Sequence, residues 1–210
     1  MRTVPLATEN PPSRRVPLAL LIVYAAVWVI TAIQPLYPQD WLLENLLVFL
    51  TVPVFVLTYR RFRFSNFAYV LLTVFFVLHA YGAHYTYSET PAGDWVRDAL
   101  GHNRNHYDRL VHFMFGLLAS PAMWELLRRV TGLRPGWAYV LTVHVMLAWS
   151  GLYEIIEAVV AMIVSPELGA AYNGTQGDEW DAQKDSALAA AGAVLAMVLM
   201  AVRRRGDEDR

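Results

Sequence analysis

The chain alternates between long apolar runs and short polar blocks. Apolar stretches fall near 17–33, 41–59, 66–84, 108–128, 137–163 and 185–202, each long enough to cross a hydrocarbon core of ~30 Å. A helix on the surface of a water-soluble protein needs a polar face, and these segments lack one. The pattern therefore predicts an all-α, polytopic membrane bundle of six transmembrane helices, without a separate soluble domain. Residues 1–15 and 203–210 read as polar N- and C-terminal tails around a membrane domain over 16–202.

Basic residues set the expected orientation, because Lys and Arg accumulate in short cytoplasmic loops. With both termini in the cytoplasm, thirteen arginines lie inside: Arg2, Arg14, Arg15, Arg60, Arg61, Arg63, Arg128, Arg129, Arg134, Arg203, Arg204, Arg205 and Arg210. Only Arg97, Arg104, Arg109 and Lys184 remain outside. The asymmetry recurs at every inward connection and predicts an N-in, C-in chain. The first apolar run is longer than a signal-peptide core and lacks a clear small-x-small cleavage site, so it is read as a helix. A multi-pass location in a membrane follows.

Within the spans, Pro53 is expected to kink the second helix and Pro121 lies in the lower half of the fourth. The segment Asp94-Trp95-Val96-Arg97-Asp98-Ala99-Leu100-Gly101 predicts a short outer helix with an Asp cap and a terminating Gly. Asn173-Gly174-Thr175-Gln176-Gly177 is turn chemistry, after which Asp178 is placed to cap the last helix. Ala189, Gly192, Ala193 and Ala196 form a small-residue face suited to close helix contact.

Composition removes several kinds of chemistry. No cysteine is present, which excludes disulfides, thiolate metal sites and iron–sulfur ligation. A net charge of −1 argues against a nucleic-acid partner.

The ionisable residues inside the spans are the informative ones, because a charge in hydrocarbon costs at least ~2.5–3.5 kcal/mol. His79, His84, Asp108, His112, Glu154, Glu157, Asp178, Asp181 and Asp185 all belong to the outer half or rim of the third to sixth helices. Asp108 and His112 are four apart, as are Asp181 and Asp185, so each pair shares a helix face. Two readings fit a cluster of histidine and carboxylate. One is a divalent-metal site for an ion such as Zn²⁺ or Mn²⁺, with His112, Glu154, Asp181, Asp185, His79 and Asp108 as ligands. In that reading Glu157 and His112 are the catalytic candidates, with Glu157 as a base. The other is a proton relay or cation pathway. Arg104, Arg109 and Lys184 lie beside these positions and could hold a phosphate or another anionic head group, such as that of an envelope lipid. They could equally neutralise Asp108, Asp181 or Asp185 in structural ion pairs.

Plainer roles suit other positions. His84 and His106 fit interfacial or solvated roles, and His102 has no clear partner. His144 reads as a hydrogen-bonded packing residue. Glu125 reads as an ion pair with Arg128 or Arg129.

Four segments carry a family resemblance: His79-x-x-Gly82-Ala83-His84-Tyr85-Thr86-Tyr87, Arg104-Asn105-His106-Tyr107-Asp108-Arg109-x-x-His112-Phe113, Tyr153-Glu154-x-x-Glu157, and Gly174-Thr175-Gln176-Gly177-Asp178-x-Trp180-Asp181-Ala182-Gln183-Lys184-Asp185. In these the chain resembles the YjdF-like uncharacterised bacterial inner-membrane proteins. The resemblance covers most of the chain and implies a multi-pass membrane protein without an established reaction. A fainter similarity runs to the VanZ-like membrane proteins at Asp108, His112, Glu154 and Asp185, with a departure at Ala189 where that pattern favours Asn. That family's link to glycopeptide-antibiotic tolerance hints at envelope lipids.

Three functions follow as expectations. The first is metal-dependent chemistry on, or binding of, an anionic envelope lipid. The second is a proton- or cation-coupled transporter. Against it, the proline breaks of the second and fourth helices have no counterparts in an inverted repeat. The third is a non-catalytic membrane protein whose polar cluster fixes helix packing.

Overall fold

A computed structural model of the chain describes residues 14–208. Among them the backbone is helical, with no strand: α1 (Arg15–Thr31), α2 (Pro38–Glu44), α3 (Leu46–Thr58), α4 (Asn66–His84), α5 (Pro91–Leu100), α6 (Tyr107–Thr131), α7 (Pro135–Ile163), α8 (Pro166–Asn173) and α9 (Asp181–Glu208). Five segments are long and apolar enough to cross a membrane: α2 with α3 (Pro38–Thr58), α4, α6, α7 and Asp181–Arg204 of α9. The apolar α1 has 17 residues and falls just short of that length. Most of the expected N-terminal tail lies outside the described residues. Within the expected C-terminal tail the backbone is helical, because α9 runs on through Arg203 and Arg204 to Glu208. Arginine favours helix, and cations suit a helix C-terminus.

The second span is interrupted at Asn45, eight residues before Pro53, which sits inside α3. Asn45 is fully buried. Its Nδ2 donates to the Trp41 carbonyl at 2.7 Å and its Oδ1 accepts from Trp28 Nε1 at 2.6 Å. A side chain that engages both its own helix and α1 fixes the break here. α5 also starts earlier than expected: Pro91 takes the first helical position, where its missing N–H costs nothing, and Gly101 closes the helix with φ 67°. Asp94 is thus inside the first turn and pairs with Arg97 at 2.7 Å instead of capping.

The tightest pairing is α6 against α9. Ala189 and Ala193 are fully buried, and a Cβ on Gly116 would run into the Ala189 carbonyl, as one on Gly192 would into that of Phe113. One apolar cluster joins Tyr24, Val48, Phe75, Phe76, Tyr87, Tyr107 and Val111. A second joins Phe64, Ala68, Leu72, Ala119, Ala122, Met146 and Ala193. The outward faces are apolar as well: Leu57, Met162 and Ile163 are more than three-quarters exposed. Such surfaces suit lipid and not water.

The two ends of the bundle differ. One end gathers the C-termini of α1 and α4, tied where His84 Nδ1 meets the Thr31 carbonyl at 2.8 Å, with the N-termini of α6 and α9. The other end carries arginines. There Glu125 of α6 accepts from the Ser65 amide at 2.8 Å and from its hydroxyl, which anchors the start of α4. Arg129 stands 3.8 Å from Glu125, so the expected ion pair is secondary to this anchoring. His144 bonds the Val140 carbonyl of its own helix at 2.8 Å but lies exposed, not packed.

Candidate functional site

The site is built at the first turns of α6 and α9, where Asp108 and His112 face Asp181 and Asp185. Carboxylate oxygens of Asp108, Asp181 and Asp185 lie within 4.8 Å of one another. His112 Nε2 stands 3.3 Å from Glu154 Oε1 of α7 and 3.6 Å from Asp108 Oδ1. Its Nδ1 is 3.1 Å from the buried Ser150 hydroxyl, which fixes the ring plane. Asp185 is 1% exposed, and its Oδ1 has no hydrogen-bond partner among the described residues. Three helices therefore bring five of the expected residues to one place.

The expected cations are present but engaged. Arg104 Nη2 donates to Asp181 Oδ2 at 2.7 Å, and the same guanidinium reaches the carbonyls of Gly174 and Thr175. Arg109 contacts the other Asp181 oxygen at 3.0 Å and also Asp178. Lys184 Nζ holds both oxygens of Asp178 at 2.6 and 2.8 Å. Lys184, the Trp180 amide and Arg109 hold the Asp178 carboxyl well below the usual carboxylate range. Asp178 thus accepts from the Trp180 amide at 3.1 Å as the chain turns into α9, while serving as the anchor of two cations.

The connecting loops lock together around this arrangement. Asn105 and Gln176 exchange two hydrogen bonds of 3.0 Å, and Asn105 Nδ2 also reaches the Thr90 carbonyl and Asp94. The tight turn is possible because Gly174 and Gly177 take φ of 54° and 82°.

His79 makes a different contact: its Nδ1 bonds the Tyr87 hydroxyl in a buried layer beside Phe75, and its Nε2 is buried without a hydrogen-bond partner among the described residues. His102 and His106 contact each other edge to face at 5.1 Å.

A second acidic group adjoins the first and was not expected as part of the site. Glu44 of α2 accepts from the Tyr153 hydroxyl at 2.9 Å and is 3% exposed, while Asp40 one turn earlier is fully buried. Glu157 lies within electrostatic range of Glu154, Asp108 and Glu44, and so links the two groups. A sequence signal existed for Glu44, an acid inside an apolar run, but its partner Tyr153 is 109 residues away. Asp40, at the rim of its helix, carried no such signal.

Seven carboxyls, Asp40, Glu44, Asp108, Glu154, Glu157, Asp181 and Asp185, thus share the polar end with Arg104 and Arg109, besides the histidines. Burying so many carboxyls is costly, and among the described residues only Asp181 of the seven is in an ion pair with arginine. Beside them a groove of about 610 Å³ opens between α7 and α9, lined by Leu147, Gly151, Glu154, Ile155, Ser186 and Ala190 among others. Glu154 is the group through which the cluster meets that groove.

Apolar helices of spanning length, lipid-compatible outer faces and a cluster of acids at one end define a multi-pass helical membrane protein. Residues 16–206 match the family described as "Predicted membrane protein (DUF2238)". The chain is 34% identical over 186 residues to Inner membrane protein YjdF of Escherichia coli (strain K12), covering 88% of this chain and 85% of that one. The chain belongs to this YjdF-like membrane-protein family, and it is a multi-pass inner-membrane protein. No solved structure matches it.

Proposed function

We propose that the polar end is a divalent-cation site through which the protein binds, or acts on, a phosphate-bearing lipid of the cell envelope. The observation that carries this reading is the excess of buried carboxylate around His112, with Asp185 Oδ1 left unpartnered. Asp108, Glu154 and Asp185 supply hard oxygen donors and His112 a nitrogen, a mixed set suited to Zn²⁺ or Mn²⁺. Asp181 completes the group while bridging Arg104 and Arg109. Tyr87 engages the Nδ1 of His79 and leaves its buried Nε2 without a partner, so His79 stays a further candidate ligand.

A bound ion would polarise a phosphoryl oxygen or acidify a water. Glu157, next to Glu154, is placed to take up a proton. Arg104, Arg109 and Lys184 remain on their aspartates and bias the rim toward an anionic head group, while the α7–α9 groove offers apolar surface for its hydrocarbon chain. In this reading α1 is a sixth span, since 17 residues rise about 25 Å. Both chain ends then face the cytoplasm and the acidic end faces outward.

Elemental analysis of protein purified without chelator tests the site. About one divalent ion per chain is expected in wild type and little in Asp185→Asn or His112→Ala. No ion in wild type, or equal content in the variants, would overturn it. Reporter fusions at both termini test the topology, with cytoplasmic signals expected from each.

A proton-coupled role is favoured by a different observation, the succession Glu44, Glu157, Glu154 across the bundle. pH-dependent uptake into proteoliposomes by metal-free protein would select that reading over the first.

A further inference from the structure

The opposite end of the bundle holds a second polar cavity of contrary sign. A pocket of about 420 Å³ is lined by Arg14, Tyr59, Arg60 and Arg63, where the start of α1 meets the turn from α3 into α4. The neighbouring arginines show what these side chains do when the protein satisfies them. Arg128 donates to the Leu133 carbonyl and lies 5.8 Å over the Trp124 ring. Arg129 donates to the Arg63 carbonyl and lies 4.1 Å over Phe62. Arg63 rests 5.0 Å over Tyr59, but the side chains of Arg14 and Arg60 make no hydrogen bond or ion pair among the described residues. Three guanidinium groups that converge on one cavity repel one another, and an anion between them relieves that repulsion.

We propose that this pocket binds the phosphate of an anionic glycerophospholipid. The wall leading to it selects lipid over free anion. Val56 and Leu57, one turn before Arg60 in the chain, are 51% and 78% exposed, so apolar surface suited to acyl chains lies within a turn of the cationic residues. The pocket is also roomier than a phosphate group alone requires and admits a head group such as phosphoglycerol. Arginine forks bind phosphate oxygens two at a time, and basic pockets between membrane helices are suited to anionic head groups. The inference needs the membrane-spanning reading but not the proposed chemistry of the acidic end.

The test is lipid binding to the purified full chain, by native mass spectrometry and by the shift in thermal midpoint, with phosphatidylglycerol against phosphatidylcholine. Wild type should prefer phosphatidylglycerol. Arg60→Gln/Arg63→Gln should weaken that binding by about 30-fold, at roughly fivefold per arginine, while Arg60→Lys/Arg63→Lys retains part of it. Equal affinity for the two lipids, or no change in the double Gln variant, would overturn the proposal. So would displacement of the lipid by inorganic phosphate at low millimolar concentration, which would mark a free-anion site. Binding seen only after residues 207–210 are removed would assign the pocket to the chain's own acidic end, and would overturn it as well.

Discussion

Arg104 and Asp181 meet at 2.7 Å although 77 residues separate them, and both side chains are about nine-tenths buried. The pair fastens the loop before α6 to the first turn of α9. It also draws the carbonyls of Gly174 and Thr175 onto the same guanidinium. Removing one partner of a buried pair strands the other charge, at a cost of about 3–5 kcal/mol. Arg104→Met should approach the lower part of that range, because Arg109 still reaches Asp181. Lys184 is 48% exposed, so Lys184→Met should cost at most about 1 kcal/mol. Thermal unfolding of the two variants in the same detergent checks the order, and equal losses would refute it.

The α6–α9 contact makes a sharper steric prediction. A Cβ at Gly116 or Gly192 meets backbone carbonyls, which cannot rotate away as a side chain could. Gly116→Ala and Gly192→Ala should each destabilise by about 1–3 kcal/mol through overpacking. Gly136 lies in α7 with open space around it, so Gly136→Ala should be neutral or stabilise by up to about 1 kcal/mol. Midpoints that rise in all three variants would show that helix propensity, not close approach, governs these sites.

Span positions were legible in sequence because lipid imposes a length on apolar helices. The run 66–84 coincides with α4, and 137–163 lies within two residues of α7. The small face of α9 was legible for a similar reason, since Ala189, Gly192, Ala193 and Ala196 recur on one side. Its counterpart Gly116 was not, because a single glycine in an apolar run has no pattern to mark it. Partner choice was the other hidden layer. His79 and His112 are both outer-half histidines in sequence, yet Tyr87 engages the Nδ1 of the first and Ser150 that of the second. Glu125 stood beside two arginines in sequence, but the start of α4 offered it an amide and a hydroxyl. The break at Asn45 likewise depends on Trp28 of another helix.

Asp178 provides a pH dependence with a defined sign. Its carboxyl is held below the ordinary range, first by Lys184, then by the Trp180 amide and Arg109. A depressed folded-state pKa adds stability that is complete above the unfolded value and disappears as pH falls through the folded one. The difference in thermal midpoint between wild type and Asp178→Asn should be constant above about pH 5 and shrink below about pH 4. Scanning calorimetry across pH 3–7 reads this directly, and a gap that stays constant to pH 3 would sink the assignment.

Glu44 and Tyr153 supply a test of the second acidic group. The hydroxyl donates at 2.9 Å to a Glu44 carboxyl that is 3% exposed. Tyr153→Phe keeps the ring but strands Glu44 Oε2, a loss of about 1–3 kcal/mol. A shape-preserving change on the other side, Glu44→Gln, can still accept from the hydroxyl and should cost less. In the double variant the two losses should fail to add, with a coupling of about 0.5–3 kcal/mol. Tyr37 offers the comparison, since its 3.3 Å bond to Glu89 is exposed and Tyr37→Phe should change stability by no more than about 0.5 kcal/mol. Additive losses at Glu44 and Tyr153 would mean that α2 and α7 are not joined through this bond. The acidic layer would then end at Glu157, and Glu44 would drop out of any proton succession across the bundle.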